Sequence, residues 1–288
     1  FFYPNPLASN GKYSRKPWFG CACCPSNVSR FIPSLPGYVY AVKDNQVYVN
    51  LYLSNKAELI VNKKKVVLEQ ETGYPWNGDI RVKVAQGNQE FALKLRIPGW
   101  VRNEVLPSGL YSYADNQKPT YRIIVNGQET ANTLNNGYLS IERKWKKGDV
   151  VKIHFDMLPR IVKANEKVVD DKGRVSVERG PIVYCAEWPD NKCNVHSVLL
   201  NQHPQFKVVE KPELLYGISQ LKTDAQALSY DKNGKLITKD TELTLIPYYA
   251  WAHRGEGDMK VWLPIDVSAA SALPQEVQKW EDNGFFKN

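Results

Sequence analysis

Ile80-Arg81-Val82-Lys83-Val84 and Phe91-Ala92-Leu93-Lys94-Leu95-Arg96-Ile97 flank Ala85-Gln86-Gly87-Asn88-Gln89-Glu90. Apolar side chains alternate with charged ones in both arms, which is the period of a half-buried strand. Gly87-Asn88 supplies turn residues between them, so the stretch predicts a β-hairpin with one apolar face. The pattern repeats outward. Tyr38 to Val42 and Gln46 to Leu53 flank Lys43-Asp44-Asn45 as a further hairpin. Tyr121 to Val125 runs into Asn126-Gly127, and Gly137 to Glu142 and Val150 to Phe155 flank the turn residues Lys147-Gly148-Asp149.

About seven such strands fill one antiparallel β-sandwich. A second set begins after Met157-Leu158-Pro159. It includes Arg174 to Glu178 and Ile182 to Ala186 around Arg179-Gly180-Pro181, then Leu243 to Ile246 and Met259 to Leu263. The fold class expected is therefore mainly β, with two jelly-roll-like β-sandwich domains. A chain of 288 residues with 43% hydrophobic content suits that count.

Residues 1–40 read differently, rich in Pro, Ser and Asn with no sheet of their own. The chain opens on Phe1-Phe2-Tyr3-Pro4 without an initiator Met, and the expectation is a fragment of a longer protein. A short helix is expected from Pro25 through Phe31, since Pro is at home in a first helical turn. Cys23 and Cys24 would then lie at or just before its N-terminus, where exposed amides and the helix dipole favour a thiolate.

Three of the five cysteines, Cys21, Cys23 and Cys24, fall within four positions. That is not a disulfide framework, and neighbouring cysteines do not readily bond each other. Two thiolates can ligate one zinc ion, or one can act as a nucleophile; buried inert thiols are the alternative. His154, His196, His203 and His253 have no ligand spacing to the cluster. Cys185 and Cys193 read as buried thiols or as a pair closing a short loop in an oxidising compartment.

The formal charge of +8 comes from scattered basic residues. The short clusters at Lys63-Lys64-Lys65 and around Lys144 to Lys147 make no nucleic-acid stripe. No apolar run approaches the roughly 20 residues of a membrane-spanning helix. Neither nucleic acid nor membrane is expected as a partner, and the sequence does not decide the compartment. No Gly-x-Ser-x-Gly elbow, phosphate loop or dinucleotide fingerprint is present. Glu178 with Glu187 could form an acid–base pair, but carboxylates so placed on hairpin strands are usually solvated or paired with Arg or Lys. His253-Arg254 with Glu256 and Asp258 reads as a polar loop. Trp18, Trp76, Trp100, Trp188, Trp251 and Tyr248-Tyr249 could stack on sugars, although core filling is their commoner use. Trp18, near the cysteines, is retained as the candidate substrate contact.

Gly20-Cys21-Ala22-Cys23-Cys24-Pro25-Ser26-Asn27 followed by Pro36-Gly37-Tyr38-Val39-Tyr40 resembles the cysteine-bearing end of the catalytic barrel in glycoside hydrolase family 127, the β-L-arabinofuranosidase-like enzymes. Leu95-Arg96-Ile97-Pro98-Gly99-Trp100, Val177-Glu178-Arg179-Gly180-Pro181, and Ile246-Pro247-Tyr248-Tyr249-Ala250-Trp251-Ala252 with Arg254-Gly255 resemble the same family.

The resemblance implies that residues 1–40 are the closing segment of a truncated (α/α)6 barrel, followed by one sandwich over 41–157 and another over 158–288, whose last residues could return to pack on the first. It implies Cys23 as nucleophile and zinc ligand and Cys24 as a second zinc ligand, with no role for Cys21. The thiolate would form a thioglycosyl intermediate that water resolves with retained configuration. Zinc belongs to the complete enzyme and need not be held by this fragment. The general acid and the remaining ligands would lie in the upstream barrel of the same polypeptide, leaving the fragment alone inactive. The substrate implied is a plant cell-wall glycan bearing β-L-arabinofuranose or a related sugar. The alternative is a non-catalytic β-sandwich module that binds glycan or braces a partner domain.

Overall fold

The computed structural model describes residues 2, 4–18, 23–115, 117–130 and 133–270. These fall into two compact units, one formed by residues 18–107 with 115–158, the other by 1–17, 108–114 and 159 onward. The chain is mainly β, as its alternation predicts, and among the described residues its two α-helices are Cys23–Ser34 (α1) and Pro36–Val39 (α2). No described helix is long and apolar enough to cross a membrane.

The unit spanning 18–107 and 115–158 contains a six-stranded and a five-stranded sheet. Its turns follow turn chemistry closely. Asn62-Lys63, Asn126-Gly127 and Asn136-Gly137 each place two successive residues in left-handed conformation between paired strands, the geometry of the tight hairpin turns that match strand twist. Lys63-Lys64-Lys65 thus occupies an exposed hairpin tip, where Lys65 pairs with Glu58 at 2.7 Å. Tyr40–Lys43 and Gln46–Val49 form the expected hairpin. Its first strand starts at Tyr40, because α2 takes up Pro36–Val39.

The hairpin expected around Gly87-Asn88 does not form. Asp79–Gln86 lies in the six-stranded sheet between Lys64–Thr72 and Val150–Phe155. Asn88–Arg96 lies in the five-stranded sheet between Tyr138–Lys146 and Gln46–Val49. Each strand already has a partner on both edges, so the chain crosses from one sheet to the other at Gly87, whose φ is +152°. Lys147-Gly148-Asp149 makes a second crossing of this kind, since Tyr138–Lys146 and Val150–Phe155 also belong to different sheets. Val84 and Gly148 bind across it, with Gly148 N–H on the Val84 carbonyl at 2.8 Å. The pairing of Gln46–Val49 with Asn88–Arg96 is parallel, a departure from the expected all-antiparallel pattern. Ile80, Val82 and Val84 from one sheet and Phe91, Leu93 and Leu95 from the other supply the buried interior.

Within this unit the Leu95-to-Trp100 motif is structural. Leu95 and Ile97 are fully buried, and Trp100 donates its indole N–H to the Tyr74 hydroxyl at 3.1 Å. Trp100, Tyr52 and Tyr74 gather around Phe155 with ring centroids about 6 Å apart, mostly edge-on.

The other unit is built on one branched eleven-stranded sheet. Arg174–Arg179 and Ile182–Glu187 form the hairpin expected around Gly180-Pro181. Alternation along Ile182–Glu187 buries both of its faces. Ile182, Tyr184 and Ala186 enter a core with Val177, Leu221, Leu243 and Leu245. Cys185 enters a second core with Ile246, Trp251, Met259 and Val261. Cys185 and Cys193 are free thiols, and burial pushes the Cys185 thiol pKa up.

Residues 1–40 depart from expectation in one respect. Ala8–Asn10 forms a strand antiparallel to Asp258–Lys260, burying Ser9. Three residues between prolines and polar neighbours carry too little alternation to show this in sequence. Residues 271–288, expected as a possible return to the first sandwich, lie outside the described residues.

Candidate active site

Helix α1 begins at Cys23 and runs to Ser34, longer at both ends than the expected Pro25-to-Phe31 segment. The extension has local causes. Pro25 falls in the first turn, where no N–H is required of it. Ser26 donates to the Cys23 carbonyl at 3.1 Å, Ser29 to the Pro25 carbonyl at 2.9 Å, and Arg30 to Asn27 Oδ1 at 2.6 Å. Cys23 and Cys24 are therefore the first two residues of the helix, and both are exposed.

The two Sγ atoms are 3.7 Å apart, too far for a disulfide at about 2.05 Å. Two thiolates held by one tetrahedral zinc at about 2.3 Å stand about 3.8 Å apart, so this spacing suits a shared ion. Cys23 and Cys24 could thus hold one edge of such a site. Among the described residues no three His, Cys, Asp or Glu side chains converge, so the described part of the chain offers two ligands of four. Cys21 lies outside the described residues. Trp18, five positions before Cys23, is 56% exposed, as a stacking residue must be.

The carboxylates considered from sequence are engaged elsewhere. Glu178 accepts from the Tyr113 hydroxyl at 3.1 Å, and burial pushes its pKa up against the pull of Arg160, whose guanidinium lies 3.5 Å from the Tyr113 ring centre. Glu187 pairs with Arg254, which also binds Asp190 at 2.9 Å. These bonds raise the Arg254 pKa still further above its ordinary value, against burial. Sequence inspection saw Arg254 as part of a polar loop and missed this pairing; the usable signal was a lone carboxylate closing the apolar strand Ile182–Glu187.

Arg15 was also missed. Its Nε donates to the Trp251 carbonyl at 2.9 Å and its Nη2 to the Tyr249 carbonyl at 2.8 Å. Of the other aromatics weighed for sugar stacking, Trp100 and Trp251 are buried, whereas Trp76, Trp188 and Tyr249 are about half exposed.

Comparison with known proteins accounts for nearly the whole chain. Residues 1–37 match the beta-L-arabinofuranosidase GH127 catalytic domain, residues 46–157 the GH127 middle domain, and residues 159–264 the glycoside hydrolase family 127 C-terminal domain. The chain is 30% identical, over 90% of its length, to a non-reducing end beta-L-arabinofuranosidase of Bifidobacterium longum subsp. longum, and covers 39% of that protein. A solved GH127 beta-arabinofuranosidase superposes with a TM-score of 0.92 at 81% identity, over 95% of this chain and 43% of that one. A GH127 beta-L-arabinofuranosidase from Geobacillus stearothermophilus T6 superposes with a TM-score of 0.79 at 32% identity, over 92% of this chain and 42% of that one. The chain thus spans about two fifths of the length of these relatives. Its sequence motifs, its mainly β architecture and these matches together place the chain in glycoside hydrolase family 127.

Proposed function

We propose that this chain is the C-terminal part of a retaining glycosidase that releases β-L-arabinofuranose or a related sugar from plant glycans, with Cys23 as its nucleophile. The observation that carries the reading is the exposed Cys23–Cys24 pair opening α1, inside the stretch that matches the catalytic domain. The substrate class follows the names of the relatives. Residues 1–40 are assigned to the closing segment of a catalytic barrel, 41–157 to one sandwich and 158–288 to a second.

In the first step the Cys23 sulfur donates an electron pair to the anomeric carbon, the bond to the leaving oxygen breaks, and that oxygen takes a proton from an acid outside this chain. In the second, water attacks the same carbon and gives up a proton to the conjugate base of that acid, the carbon–sulfur bond breaks, and the sulfur recovers its pair. Two displacements at one carbon retain its configuration. Zinc, when bound, would keep both sulfurs deprotonated near neutral pH. Cys23 and Cys24 are assigned as two of its ligands, and Trp18 as a stacking contact for sugar.

The test is zinc content and hydrolysis of p-nitrophenyl β-L-arabinofuranoside by the polypeptide that includes the upstream barrel, wild type against Cys23→Ser. Abolished turnover with the fold kept is expected. Undiminished turnover would leave Cys23 structural. The 288-residue chain alone is expected to show no turnover, and measurable hydrolysis by it would remove the need for an upstream acid. The exposed Trp188 and Tyr249 favour a second reading, a glycan-binding module. Glycan affinity unchanged in a Cys23→Ser, Cys24→Ser double variant would support it.

A further inference from the structure

The unit that holds the C-terminal domain is completed by the first residues of the chain. Phe2 stacks on Trp251, ring centres 4.7 Å apart. Tyr248 donates its hydroxyl to the Pro6 carbonyl at 2.8 Å, and Val261 N–H reaches the Leu7 carbonyl at 2.9 Å. Ala8–Asn10 adds a strand to Asp258–Lys260. Ser9 is buried there, with its hydroxyl on the Gly257 carbonyl at 3.0 Å and its own carbonyl 2.8 Å from His196 Nε2, which must be the donor because a carbonyl only accepts.

Arg15 closes the series. Its guanidinium forks onto the carbonyls of Trp251 and Tyr249 and lies over the Phe2 ring at 4.8 Å. A planar fork can address two carbonyls at once, which a lysine ammonium cannot do with the same geometry. The receiving turn is prepared by a buried carboxylate. Glu187 accepts from the Ala252 N–H at 2.6 Å, where Ala252 holds a φ of +57°, and binds Arg254 two residues on. Glu187 thus holds the turn from Tyr248 to Arg254 that carries the two carbonyls bound by Arg15.

The strap residues belong to the stretch matched by the catalytic domain, and all their partners to the stretch matched by the C-terminal domain. We propose that Phe2 to Arg15 is a strap by which the stretch matched by the C-terminal domain holds the first residues of the stretch matched by the catalytic domain, and that Arg15 is its lock. The strap stands apart from the role given to Cys23.

The experiment is native-state hydrogen exchange in the 288-residue chain, comparing wild type, Arg15→Ala and Arg15→Lys. Arg15→Ala is expected to raise exchange at Ala8–Asn10 and Val261 by about tenfold or more, with Leu243 to Ile246 still protected, as loss of two charge-assisted bonds implies. Arg15→Lys is expected to recover part of the protection. Strap amides as protected as in wild type would overturn the lock. If Arg15→Ala unfolds the domain, Tyr248→Phe, which deletes only the bond to Pro6, is read by the same measurement. A failure of Cys23 as nucleophile would appear in the turnover of Cys23→Ser and would leave these rates as they are.

Discussion

At the scale of single residues, the most consequential side chain outside the cysteines is Glu187, 1% exposed at the end of an apolar strand. A buried carboxylate is tolerable only with a cation and donors around it, and Arg254 and the Ala252 amide supply them. Arg254→Ala would strand that charge, and a loss of about 3–5 kcal/mol is expected, read as a lowered Tm of the whole chain. Glu187→Gln combined with Arg254→Ala should cost less than the two single changes summed, because the second removes a partner already lost.

His196 gives a pH signature. Burial lowers its pKa, Lys260 acts in the same direction, and the Ser9 carbonyl and Asp258 oppose them. The unfolded imidazole takes up a proton near pH 6.5 while the folded one does so only further down. Stability contributed by neutral His196 is therefore complete above that pH and is lost as pH falls from about 6.5 through the folded pKa. His196→Gln should flatten the dependence of Tm on pH across that window. Little of this was legible in sequence, since Glu187 and Arg254 are 67 positions apart and nothing in either neighbourhood names the other. The Cys23–Cys24 pair stood out in sequence because its two residues are adjacent.

At the scale of elements, alternation showed where strands lie and left open which strands pair. Ile80 to Ile97 has the same period whether it folds as a hairpin or crosses between facing sheets, because both send alternate side chains into one interior. The deciding fact is that each arm has both edges occupied by strands other than its neighbour across Gly87. Where the turn carried its own instruction, as in Asn126-Gly127 and Gly180-Pro181, the local reading held.

Gly78 shows how tightly the strands are set. A Cβ there would lie 1.9 Å from the Phe155 carbonyl oxygen, a backbone atom that no rotamer change can move. Gly78→Ala should lower stability by about 1–3 kcal/mol, measured by denaturant midpoint. Trp145, fully buried with its indole N–H on the Phe91 carbonyl at 3.0 Å, should be costlier to remove, about 3–5 kcal/mol for Trp145→Ala.

At the scale of the whole molecule, each unit draws on separated stretches of chain. Tyr111–Tyr113 leaves its sequence neighbours to pair with Pro159–Ala164, as Ala8–Asn10 pairs with Asp258–Lys260. Residues 159–270 produced alone would lack both partner strands. They are expected to melt at a lower temperature and less cooperatively than the same residues within the 288-residue chain, checked by calorimetry.

The seam seen in sequence near residue 158 coincides with a division seen in space, but the units also part at 17/18, 107/108 and 114/115, where the sequence shows no seam. A gene is cut and rejoined along its length, so a cut near residue 40 would separate the unit from Ala8–Asn10, and one near residue 158 from both Ala8–Asn10 and Tyr111–Tyr113, leaving what is lost behind without a partner. Modules that can be swapped singly diverge in their companions. These two, stitched through each other, are constrained to descend together.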